Sequence, residues 1–162
     1  MLGSIMFLSK IIMEFLPNIH LVGTLIAVYT LVYRKKALIP IYVYVLLMGV
    51  YGGFNLWWVP YTYIWTVLWL MVILTPKSLL QSKAGVVVYP LITALHGLLY
   101  GTLYAPAQAI MFDLSPKQMI AWIVAGFSFD LIHALGNLVL GFLIFPLTKL
   151  LLKLSRQINI IK

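Results

Sequence analysis

Residues Phe129 to Gly141 read FDLIHALGNLVLG, an acid, an imidazole and an amide set into a run that otherwise belongs in hydrocarbon. Asp130, His133 and Asn137 stand at i, i+3 and i+7, so a helix places all three on one face. A charged Asp facing lipid would cost several kcal/mol, so this face must look into a helix bundle or a water-filled cavity. The rest of the chain has to supply that enclosure.

Composition says that it can. Of the 162 residues, 64% are hydrophobic and 9% charged, an apolar share well above that of an ordinary soluble domain. At roughly 20 apolar residues per crossing, the chain holds five or six helices and no soluble catalytic domain. There are no cysteines, which excludes disulfides, thiolate metal sites and cysteine nucleophiles. The formal net charge of +8 comes from basic residues lying between apolar runs, where they orient a chain in a bilayer rather than meet nucleic acid.

Five breaks divide the apolar sequence: Pro17-Asn18, Tyr33 to Lys36, Trp57 to Pro60, Pro76 to Lys83, and Asp113 to Lys117. The runs between them are too continuous for the alternation of a membrane β-barrel. The expectation is an all-α integral membrane protein, residues 1–162 forming one domain, a compact bundle of six transmembrane helices. The spans fall at about 3–16, 20–33, 37–56, 61–75, 85–111 and 117–152. With the N-terminus in the cytoplasm, the inside connections and the C-terminus carry Arg34, Lys35, Lys36, Lys77, Lys83, Lys149, Lys153, Arg156 and Lys162, nine of the 11 Lys and Arg residues. That asymmetry fits six crossings with both termini cytoplasmic. Trp57, Trp58, Tyr61 and Tyr63 then form an aromatic rim at the outer interface.

The first and last segments depart from this regularity in opposite directions. The first is short, ends before Pro17, and carries Lys10 and Glu14 four residues apart, where the two can partly neutralise each other. The last opens on Ser115-Pro116, a good N-cap and first-turn pair, but runs well beyond one hydrocarbon thickness. A bend is expected in it, at Gly126, Gly136 or Pro146. His133 is midway between the flanking Lys117 and Lys149, which places it near the bilayer midplane.

Two readings of the Asp130, His133 and Asn137 face remain open, a binding-site wall and a hydrogen-bonded clasp between helices. The fifth segment offers a partner surface. His96, Tyr100, Tyr104 and Gln108 recur every four residues as a polar-aromatic stripe, beside a ladder of Gly97, Gly101, Ala105 and Ala109 suited to close helix packing. No metal site is expected, because the three histidines, His20, His96 and His133, lie on different segments without ligand spacing. No nucleophile elbow, phosphate loop or zinc-peptidase motif is present, and the acids Glu14, Asp113 and Asp130 are dispersed, so neither enzyme activity nor a cofactor is expected. If the chain serves ATP-driven transport, the hydrolysing subunits are other chains.

The run Pro17-Asn18-Ile19-His20-Leu21-Val22, the turn Tyr33-Arg34-Lys35-Lys36, Gly49 to Pro60 (GVYGGFNLWWVP) and the ending Phe129-Asp130 to Gly136-Asn137 with Pro146 resemble membrane-embedded S components of energy-coupling factor (ECF) transporters. That resemblance implies a subunit of a bacterial or archaeal cell membrane that binds a vitamin or similar micronutrient from outside. It would work with a transmembrane coupling protein and two cytoplasmic ATPases. It also implies a ligand pocket near the outer side, formed by Asn18 and His20 of the first loop, by Asn55, Trp57, Trp58 and Tyr61, and by His96, Tyr100, Gln108, Asp130, His133 and Asn137. The small-residue pair that such proteins place on their first helix for docking is missing here, leaving Gly23 and Ala27 on the second. The alternative is a small membrane scaffold or lipid-interacting protein.

Overall fold

A computed structural model describes residues 1–157, all α-helix and 3-10 turns, with no strand among the described residues. Eight α-helices follow in order: α1 (Leu2–Ile12), α2 (Val22–Tyr33), α3 (Leu38–Gly52), α4 (Tyr61–Ile73), α5 (Gly85–Leu98), α6 (Tyr100–Phe112), α7 (Pro116–Gly141) and α8 (Ile144–Gln157). Three helical runs are long and apolar enough to cross a membrane: Leu56–Ile73, Gly85–Phe112 and Pro116–Gly141. The outward surface is apolar, with Ile39, Val50, Leu74, Ile110, Val124 and Val139 all exposed, whereas His96, Asp130, His133 and Asn137 are buried. This arrangement points to a membrane protein, since such a surface has no favourable place in water.

The interior is organised by α2. Every residue from Val22 to Val32 is buried, as expected of a helix apolar all round, which must sit inside rather than at an edge. It packs against α1, α4, α5, α7 and α8. Gly23 and Ala27 are therefore internal, and a Cβ on Gly23 would lie 3.1 Å from Asn137 Oδ1. The early small residues that the sequence left for partner docking belong to the core. Helices α1, α2 and α3 hold 11, 12 and 15 residues, lengths of roughly 17–23 Å at 1.5 Å per residue, below the roughly 30 Å of a hydrocarbon core. The first helix ends at Ile12, four residues before the expected boundary, and residues 13–18 form turns.

The tightest packing joins α5 to α7, antiparallel and without bulk between them. Gly141 lies against Pro90, and Gly97 against Ala134 and the backbone of His133, so that an added Cβ would stand 2.7 Å from Pro90 Cα and 3.0 Å from Ala134 N. Small residues of this kind let helix backbones approach closely where lipid offers no hydrophobic drive to association. The ladder expected on the fifth segment is thus an internal seam.

Both long segments break once. Ser115 and Gln118 form a reciprocal capping box that starts α7, with Pro116 in its first turn. The break comes at Phe142-Leu143, and the helix continues unbroken through Gly126 and Gly136. Pro146 explains the position, because its ring clashes with the carbonyl four residues earlier, that of Phe142. The other break, at Leu99 between α5 and α6, was not expected from sequence.

At one end of the bundle, Tyr33 Oη and Ser155 Oγ hydrogen-bond at 2.6 Å, and Arg34 Nη2 donates to the Ile73 carbonyl at 2.8 Å. These bonds gather the basic turn Arg34–Ala37 with the ends of α4 and α8. At the other end, Tyr63 Oη donates to the Leu103 carbonyl and Tyr104 Oη to the Trp57 carbonyl, each at 2.7 Å. Lys162, counted above among the inside cations, lies outside the described residues.

Candidate functional site

The bend at Leu99 leaves the first amides of α6 without carbonyl partners inside their own helix. Asp130 of α7 takes one of them: Gly101 N donates to Asp130 Oδ1 at 3.0 Å. The approach requires glycine, because a Cβ at position 101 would collide with Asp130 Oδ2. A carboxylate at this point also faces the positive end of the α6 dipole. Beyond the bend α6 packs less extensively on α7 than α5 does, and a cavity occupies the space between them.

This cavity has two lobes. The larger, about 400 Å³, is lined from α6 by Tyr100, Gly101, Tyr104 and Gln108, from α7 by Trp122, Gly126, Phe129, Asp130 and His133, and from the first connection by Asn18. The smaller, about 320 Å³, is lined by Lys10, His20, Trp57 and Tyr61, and shares Asn18, Tyr100, Tyr104 and His133 with its neighbour. Each volume lies within the range of small-molecule sites. Asn18 adopts a left-handed backbone (φ 59°), which asparagine tolerates, and its Nδ2 donates to the Phe129 carbonyl of α7 at 3.5 Å.

Aromatic rings surround the lobes edge to face and face to face. Tyr100 meets His133 at 4.9 Å between centroids, His20 meets His133 at 5.2 Å, and Tyr104 stacks on Trp122 at 5.9 Å and 17°. Trp65 of α4 backs them, touching His20, Tyr61, His96 and Tyr100. His20 Nδ1 and His133 Nε2 are buried without a hydrogen-bond partner among the described residues. Hydrogen-bonding capacity left unused in this way carries a desolvation penalty that water or a ligand relieves.

Of the residues expected to bind ligand, Asn18, Tyr100, Gln108, Asp130 and His133 line the larger lobe, and His20, Trp57 and Tyr61 the smaller. Four others do not line either. Asn137 is engaged in a clasp: its Nδ2 donates to the Thr93 carbonyl at 3.1 Å, and Thr93 Oγ1 lies 3.2 Å from the Asn137 carbonyl, while Asn137 Oδ1 is buried without a partner among the described residues. His96 is fully buried with Nε2 donating to the Ile64 carbonyl at 3.1 Å. Trp58 Nε1 donates to the Val45 carbonyl at 2.7 Å, which turns the ring into the wall beside α3. Asn55 is exposed at the turn after Gly53.

Trp122, Gly126 and Lys10 line the cavity without having been expected there. The signal for the first two was present, since residues 122, 126, 130 and 133 follow one helical face. Lys10 lines the smaller lobe, while Glu14, four residues on, accepts from Tyr51 Oη at 3.4 Å. Among the described residues no group of three or more His, Asp or Glu side chains is placed to hold a metal ion. Set beside known proteins, the chain matches no family model, no curated protein and no solved structure.

Proposed function

We propose that this chain is the substrate-binding S component of an ECF-type transporter, capturing a vitamin-like micronutrient at the outer face of a bacterial or archaeal membrane. In this reading the chain crosses the bilayer six times with both termini cytoplasmic, and a transmembrane coupling protein and two ATPase subunits supply the energy. The chain itself is not an enzyme and carries no cofactor. The observation that carries the proposal is the two-lobed cavity, walled by tyrosines, tryptophans and unpartnered imidazoles and bordered by the one carboxylate on α7. Orientation is supported by the basic turn Arg34–Ala37, held next to the ends of α4 and α8.

The decisive experiment is native mass spectrometry of the protein purified from its own membranes, with capture of the proteins that accompany it. The expected result is a small solute retained at near-stoichiometric occupancy, together with a coupling protein and two ATPases. Loss of both would remove the proposal. The scaffold reading has one observation in its favour, because the Asn137–Thr93 and Asp130–Gly101 bonds join helices in the way polar residues do in any membrane bundle. Under that reading Asp130→Ala weakens the fold and leaves solute retention unchanged.

A further inference from the structure

Resting on the transport reading, we infer that the solute is bipolar, a planar molecule with a cationic or strongly donating group seated on Asp130 and an anionic group at Lys10. Charge placement comes first. Asp130 is the acid among the residues lining the larger lobe, and Lys10 is the cation among those lining the smaller. The two lobes share Asn18, Tyr100, Tyr104 and His133 as lining, so the side chains that border one end also border the other.

Each end has capacity to spare. A carboxylate offers about four acceptor sites, and Gly101 N occupies one of them on Oδ1. Asp130 is only 6% exposed, so bulk water is a poor substitute for a donor. The ammonium of Lys10 carries three donors, on a residue in the last turn of α1 that is partly withdrawn from solvent. Between the two ends, Tyr100 and Tyr104 line both lobes, their ring centroids 6.0 Å apart and the planes tilted by 35°, and so supply aromatic surface for a planar middle. His20 Nδ1 and His133 Nε2, on side chains more than nine-tenths buried, are unpartnered among the described residues and can meet ring heteroatoms after a small rotation. An apolar occupant would leave both charges and both imidazoles unanswered. A solute with one charge answers one end.

The test uses the detergent-purified protein, stripped of retained solute, and a matched set of probes measured by calorimetric titration. The bipolar probes are para-(aminomethyl)benzoate and its longer biphenyl homologue; the controls are para-methylbenzylamine and para-methylbenzoate. At least one bipolar probe should bind about tenfold or more tightly than either control. Asp130→Asn keeps an acceptor for Gly101 N and should abolish the advantage given by the amine. Lys10→Gln should abolish the advantage given by the carboxylate and leave that of the amine. The inference is overturned if the controls bind as well as the bipolar probes, if none of the four binds, or if Lys10→Gln leaves the carboxylate's contribution intact. The mass and fragmentation of the native solute separate the two levels. A retained solute lacking either charged group defeats the bipolar assignment alone, whereas no retained solute and no accompanying ATPases defeats the transport reading beneath it.

Discussion

The inward face of α7 is one stripe in sequence and two environments in space. In its later part, Asn137 and Gly141 meet Thr93 and Pro90 across a seam with no room for another atom. In its earlier part, Asp130 and His133 border an open cavity, with the carboxylate held on one oxygen only. The same helix face, one to two turns apart, thus does two kinds of work. The difference lies in the opposing chain: α5 packs closely on α7, while the break at Leu99 frees the first amides of α6, one of which Asp130 takes. Polar residues in membrane helices are commonly assigned either to packing or to ligand. Here the surroundings change between His133, at the cavity, and Asn137, in the seam.

The comparison can be broken most forcefully at the closed end. Gly141→Val brings side-chain bulk against Pro90 Cα, a backbone atom that cannot rotate away. It should cost about 3 kcal/mol, read as a large drop in the midpoint of thermal unfolding in detergent. If unfolding is unchanged, the seam is looser than described. Next comes Asn137→Ala, which leaves the Thr93 carbonyl without its donor. The expected loss is about 1 kcal/mol of stability, with solute retention within about twofold of the original, as befits a group outside the cavity.

Asp130→Asn sharpens the contrast from the other side. The amide oxygen still accepts from Gly101 N, so stability should move by less than about 0.5 kcal/mol, while native mass spectrometry should show solute occupancy falling about tenfold. Equal losses of solute in Asn137→Ala and Asp130→Asn would erase the distinction between the two environments. The smallest effect is expected of Asn55→Ala, at an exposed turn away from both lobes. Both stability and retention should stay within about 0.5 kcal/mol of the starting protein, and a clear loss of retention would restore Asn55 to the site.

Much of this could be read from residues alone. Pro17, Pro60 and Pro76 fall in the connections between helices, Pro116 opens α7, and Ser115 caps that helix where a serine before a proline should. The restriction is local, and local rules suffice for it. Eight of the twelve expected ligand residues line the cavity because charged and aromatic groups on an inward face have few other places to go. His96, Trp58 and Asn137 line neither lobe and share one feature: each bonds a backbone carbonyl of another helix, those of Ile64, Val45 and Thr93. Such an acceptor has no sequence signature. Lys10 lines the smaller lobe, a placement that its spacing to Glu14 along the chain does not reveal.

The sequence by itself determined that helices form, where the Ser115 cap and several prolines punctuate them, and that Asp130, His133 and Asn137 look inward together. Those outcomes follow from periodicity, from missing amide donors and from the cost of polar groups in hydrocarbon. Only the tertiary structure decided which of the three closes a seam and which faces a cavity. That choice depends on the distance between two backbones, set by Gly97, Gly101 and Gly141 on facing helices and by the bend at Leu99. It is a property of pairs of elements, and no single stretch of chain contains it.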